Sequence, residues 1–247
     1  MAQLSKEASA YRDSKSQVMD IFYDILTQVG DLSTTISDSS TQDPSLGNPA
    51  VFIQKALHLD AALVSWAISI DPTWRYTVLV TPPPLHTNEH DDQTYRFVYG
   101  STYHAYPALA LASVWNTYRL TRIILCKIIG SSCKSILKRG TFPEKRLTAL
   151  ESVTIINQMA EDICASVPYH FNSDETAVGG LLRLLWPLFI ASDCVESEPR
   201  MKNWILQTLD RIGHTTGIQQ ALMMSQLSRE GNAHSITEQL DKEDKIV

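Results

Sequence analysis

Apolar side chains at Leu4, Ala8, Tyr11, Val18, Phe22, Ile25, Leu26 and Val29 keep returning to one helical face, so residues 4–32 predict an amphipathic helix. That rhythm stops over residues 33–48, where Ser, Thr, Asp, Pro and Gly take over and a flexible linker is expected. Asn48 offers a side-chain cap and Pro49 a first helical residue with no amide to lose, which starts a helix over 50–70. Asp71 ends it, because Pro72 drives the preceding residue out of the helical region. Residues 81–92, with three consecutive prolines and then a polar run, read as an exposed connection. A long apolar stretch predicts a buried helix from about 107 to 130, after which Lys138-Arg139-Gly140 suits a C-terminal cap. Thr141 and Glu144 have the spacing of a capping box for a helix to about 167. Three more helices follow at 179–193, 199–212 and 217–228, with Ser197 and Thr216 as caps for the last two.

No alternating pattern persists, and the best strand candidate, 76–80, lacks a pairing partner. The fold class is therefore all-α. Unequal helix lengths and the lack of a repeat period point to an irregular multi-helix array of packed helical hairpins rather than a repeat solenoid. The chain divides into a helix (1–32), a linker (33–48), an all-α domain (49–230) and a frayed, charged tail (231–247).

Of the 247 residues 44% are apolar, enough for a sizeable core, and a net charge of −6 leaves no sequence-wide footprint for phosphate backbones or anionic lipid. Neither direct nucleic-acid binding nor a membrane association is expected. The longest strictly apolar run, 184–191, is far short of the roughly 20 residues a spanning helix needs. The first residues contain no apolar targeting segment. Cys126, Cys133, Cys164 and Cys194 read as reduced core cysteines of an intracellular protein.

Candidate chemistry concentrates in residues 99–129, which hold four tyrosines, a tryptophan and two arginines in one apolar run. Asn116, Arg119 and Arg122 lie at helical spacings beside Trp115 and Tyr118, and a buried arginine needs acceptors. Glu161, Asp162 or helix-end carbonyls are one source of them. The other is an internal pocket in which these residues, with Tyr103 and His104, meet an anionic or carbonyl-bearing small ligand. His86, Glu89 and His90 match the spacing of inverted zinc peptidases, yet their surroundings are polar on every side and an exposed loop is expected. Asp91-Asp92, Asp20 with Asp24, and the acids at 174–175 lack the full spacing of a magnesium-diphosphate site. Lys134, Lys138, Arg139, Lys145 and Arg146 form the local basic cluster, explained as cations at a helix C-terminus. No catalytic set, metal or cofactor is assigned.

In order along the chain come ALHLDAALVSWA with Pro72 and Trp74, YGSTYHAY leading into WNTYRLTRI, Val167-Pro168-Tyr169, GGLLRLLWPLFIASD, Trp204 and LDRIGHTTGIQQAL. Over about residues 48–228 the chain resembles the C-terminal half of fungal zinc-cluster transcription factors, the fungal-specific transcription factor domain. That resemblance implies an all-α regulatory domain that modulates activation, dimer contacts or effector response. The sequence holds no Cys-x2-Cys-x6-Cys repeat, basic linker or coiled-coil heptad, so zinc ligation and DNA reading are not carried over, nor is any catalytic residue. The expected function is a regulator of a fungal secondary-metabolite gene cluster, located in the nucleus or alternatively the cytoplasm. It would act through a protein partner (transcriptional machinery or a DNA-binding regulator) or a small effector, with homodimerisation left open. The alternative is a metal-free cyclase or isomerase using Arg119, Arg122, His104 or a tyrosine as hydrogen-bond donors.

Overall fold

The computed structural model describes residues 2–42, 47–81, 97–172, 177–195 and 198–231. Its elements run α1 (Ala2–Gln42), α2 (Pro49–Ser69), a 3₁₀ turn (Pro72–Trp74), β1 (Thr77–Val80), β2 (Thr102–Ala105), α3 (Leu109–Leu137), α4 (Pro143–Asn172), α5 (Ala177–Cys194), α6 (Pro199–Thr216) and α7 (Gln219–Arg229). The class is all-α, a multi-helix array with one small ribbon. Two compact units share these elements, Met1–Arg75 with Thr121–Ile155 and Tyr76–Leu120 with Ile156–Val247, so α3 and α4 each give one part to each unit.

In the first unit, α1 buries Phe22, Ile25, Val29 and Leu32 at helical spacing, and α2 answers with Ile53, Ala56, Leu59, Leu63 and Trp66. Phe22 stacks on Trp66 at 4.3 Å, and the indole N–H of Trp66 donates to the Val18 carbonyl at 2.9 Å. Helix α1 does not stop at residue 32 but runs to Gln42, into the expected linker. The hydroxyls of Ser33, Thr34 and Thr35 donate to the carbonyls of Val29, Gly30 and Asp31, so these three side chains are satisfied inside the helix. The start of α2 is as expected: the Asn48 side chain accepts from the Ala50 amide at 3.0 Å and Pro49 is the first helical residue. By length and composition α2 could cross a bilayer. Its Asp60, however, pairs with Arg122, and Trp66 packs on α1, as in a core helix.

Helix α3 extends past residue 130 to Leu137, and Gly140 does not take the left-handed conformation expected of a cap. The chain leaves through turn bonds from the Arg139 amide to the Ile136 carbonyl and from Gly140 to Leu137. Helix α4 starts one residue later than a Thr141 cap requires, since the Phe142 carbonyl receives the Lys145 and Arg146 amides.

The second unit contains the ribbon that local pattern missed. Strand β1 pairs antiparallel with β2, with Val78 opposite His104 and Leu79 opposite Tyr103. Residues 102–105, just ahead of the helix expected from about 107, are therefore extended. Helix α4 continues through Pro168 to Asn172, and Pro187 sits inside α5. Gly217, expected to open the last helix, instead closes α6 in the left-handed region (φ 75°). Thr216 lies inside α6 with its hydroxyl on the Ile212 carbonyl, and Glu198 and Ile218 stand at the two helix starts with no side-chain cap bond. A Cβ on Gly213 would fall 2.5 Å from Leu222 Cδ2, so glycine is what lets α6 and α7 approach there. The His86–His90 spacing, Asp91-Asp92, the acids at 174–175, Ser197 and the tail beyond 231 lie outside the described residues.

Candidate functional site around Arg119

Arg119 is 1% exposed and is the largest fully buried side chain in the second unit. Strand β2 presents His104 inward, Tyr106 follows two residues later on the same side, and α3 carries Asn116 and Arg119 one turn apart. One terminal nitrogen of the guanidinium donates to the Tyr106 hydroxyl at 2.7 Å and to Asn116 Oδ1 at 2.8 Å, and the other faces His104 Nδ1 at 3.1 Å. Its carbon lies 4.8 Å from the centre of the Tyr76 ring. Trp115 meets Tyr76 edge-on, with Tyr118 edge-on to Trp115 in turn, and Tyr169 abuts Tyr106.

Beyond Asn116 the hydrogen bonds continue into α4 and α5. The amide nitrogen of Asn116 donates to Ser166 Oγ at 2.9 Å and faces His170 Nε2 at 3.4 Å, while the Ser166 hydroxyl donates to the Ile163 carbonyl at 2.7 Å. His170 Nδ1 donates to the Gly180 carbonyl at 3.0 Å, which fixes its tautomer and leaves Nε2 as the acceptor for Asn116. His104 accepts from Arg119 at Nδ1, so its own proton sits on Nε2.

Burial, then the adjacent Arg119 charge, holds His104 down to about 3. Burial also takes His170 down to about 4 against the opposing pull of the Gly180 carbonyl. Tyr106 is pushed up to about 12, chiefly by burial. Burial works against the charge of Arg119 too, but Tyr106, Asp162 and Tyr76 outweigh it and the guanidinium is held more firmly protonated than usual. Asp162 acts from a distance: its carboxylate accepts from Gln158 at 3.3 Å, and burial raises it despite Arg119.

The sequence candidates thus divide. His104, Trp115, Asn116, Tyr118 and Arg119 come together in the second unit; Tyr103 is half-buried on β2 with its neighbour in register, Leu79. Arg122 belongs to the first unit and forms a two-pronged ion pair with Asp60 at 2.7 and 2.9 Å. Sequence reading missed Tyr76, Tyr106, Ser166 and His170. Tyr106 was signalled only by its two-residue offset from His104, which matters once 102–105 is a strand.

Chemically the cluster is a closed relay. Ser166 is no activated nucleophile, since its proton goes to a helical carbonyl and the nearby His170 nitrogen faces Asn116. Histidines held near 3 and 4 are poor proton shuttles at neutral pH. Among the described residues no group of three His, Cys, Asp or Glu side chains is arranged for a metal ion.

A stretch of 141 residues, half of this chain, is 27% identical to Transcription factor dbaG of Emericella nidulans (strain FGSC A4). The stretch covers 32% of that protein, so this chain spans about a third of its relative's length. No family model matches, and no solved structure matches. A fungal transcription factor is therefore among the chain's distant relatives.

Proposed function

We propose that this chain is an all-α regulatory domain of a transcription regulator, acting in the nucleus through a protein partner or a small effector to adjust expression of a secondary-metabolite gene cluster. The observation that carries this reading is the similarity to a fungal transcription factor over half of the chain. The Arg119 cluster is in keeping with it, because its polar groups are spent on one another as in a structural core. The cyclase or isomerase alternative draws no comparable support: its donors Arg119 and His104 are turned on each other, and Arg122 is turned on Asp60.

Deleting the gene and reading neighbouring transcripts and metabolites from the same cultures tests the reading. A joint fall of the neighbouring transcripts is expected. Unchanged transcripts with one accumulating precursor would overturn the regulator in favour of the enzyme.

A further inference from the structure

The turn between α3 and α4, all within the first unit, gathers the basic cluster. Residues 134–153 contain five cations, Lys134, Lys138, Arg139, Lys145 and Arg146, against two carboxylates, Glu144 and Glu151, a local balance of +3 in a chain of −6. Among the described residues none of the five joins an ion pair. For Lys134, Lys138 and Arg139 the end of α3 supplies a structural reason, since cations suit the free carbonyls there. Lys145 and Arg146 have the opposite placement. They stand in the first turn of α4, where the helix end is positive and a cation is disfavoured.

The same turn and helix expose Phe142 (42%), Leu147 (58%), Leu150 (58%) and Val153 (44%). Ser152 and Ile156 of α4 are buried, so the stripe is the outward face of the helix rather than its core face. At about 100° per residue, Leu147, Leu150 and Val153 form one slanting row, with Arg146 between Leu150 and Val153 and both glutamates beyond Leu147. Bulky apolar side chains in water beside uncompensated cations are two unfavourable features on one surface, and a single occupant relieves both.

We propose that this face is a docking surface for an acidic amphipathic helix of a partner protein. Leucine-type residues of the partner would cover Leu147, Leu150 and Val153, and its carboxylates would meet Arg139 and Arg146. From Leu147 to Val153 the row rises about 9 Å, roughly two turns of such a helix, and Phe142 adds a further exposed apolar side chain just before α4 begins. An anionic bilayer is the less suitable occupant, because Glu144 and Glu151 would be pressed toward it along with the apolar row. The proposal gives the regulatory reading its partner class but stands on the chemistry of this face, so binding and gene deletion can fail independently.

The test uses the full chain and a fluorescently labelled helical peptide of about 18 residues, roughly five turns, with leucines on one face and glutamates elsewhere. A scrambled peptide of the same composition and phosphatidylserine-containing vesicles are run beside it. Binding is followed by anisotropy for the wild type, Arg139→Glu/Arg146→Glu and Leu147→Ser/Leu150→Ser, all changes at exposed positions, with circular dichroism confirming that each variant folds. The expected result is peptide binding that weakens roughly tenfold or more in either variant, on scrambling, and with added salt. Absent peptide binding, binding indifferent to both variants, or vesicle binding lost in both variants while the peptide is ignored would each overturn the proposal.

Discussion

Arg119 and Arg122 stand three residues apart in the chain, yet the two units treat them in opposite ways. Arg122 in the first unit meets a carboxylate, Asp60, head-on, with both side chains keeping some contact with water (13% and 15% exposed). Arg119 in the second unit is sealed in and held by uncharged groups, the hydroxyl of Tyr106, the amide oxygen of Asn116 and the imidazole of His104. An ion pair can be removed as a pair, because two charges leave together. A cation solvated by neutral dipoles cannot, since an acceptor aimed at it, such as the Asn116 amide oxygen, is left buried without it.

The sharpest way to break the comparison is Arg119→Met. It fills much of the same space but orphans the Asn116 amide oxygen and leaves Tyr106 and His104 only each other, 3.2 Å apart, and about 3–5 kcal/mol of stability should be lost in denaturant melts. A loss under about 1 kcal/mol would mean that the cluster relaxes and the contrast between units is false. Acid comes next. Histidines held to about 3 and about 4 in the fold compare with about 6.5 unfolded. Both folded values lie lower, so the unfolded chain takes up more protons as pH drops below about 6.5. The stabilisation is complete at neutral pH and is lost progressively down to about pH 3, on the order of a few kcal/mol. Among its described residues the first unit buries no histidine, so residue-resolved hydrogen exchange between pH 7 and 4.5 should show α5 to α7 loosening first. Equal loosening of α1 and α2 would contradict this.

Arg122→Met alone should cost about 2–3 kcal/mol by orphaning Asp60, whereas Arg122→Met with Asp60→Leu should return to within about 1 kcal/mol of wild type. A double mutant as damaged as the single would place Arg122 in the same class as Arg119. The smallest effect belongs to the surface pair of Arg229 and Asp210 in the second unit, where Arg229 is 47% exposed. Arg229→Ala should cost less than about 1 kcal/mol, and less still in high salt. A larger loss would show that the pairing with Asp210 ties α7 to α6 more firmly than a surface ion pair does.

Helices were the legible part of this chain, because their periodicity and stop signals are local. Asn48 and Pro49 act as written, and Phe22, Ile25 and Val29 bury the face their spacing defines. The misreadings share a cause. Ser33 to Thr35 look like a linker only if their hydroxyls are assumed to compete with the helix, whereas each bonds one turn back. Residues 77–80 looked unpaired because their partners, 102–105, are over twenty positions away. At the candidate site, burial of Asn116 and Arg119 followed from their place on a long, largely apolar helix; the identity of their acceptors did not.

Sequence by itself determined the class, the order of the helices and the presence of charged groups within an apolar helix, since propensity, capping and periodicity act within a few residues of chain. Only the tertiary structure decided which charge is neutralised and which is merely solvated. Asp60 reaches Arg122 from 62 positions away, and Ser166 and His170 reach Asn116 from 50 and 54. A buried polar group has to be satisfied by whatever the fold brings beside it, and nothing in the neighbouring sequence records what that will be.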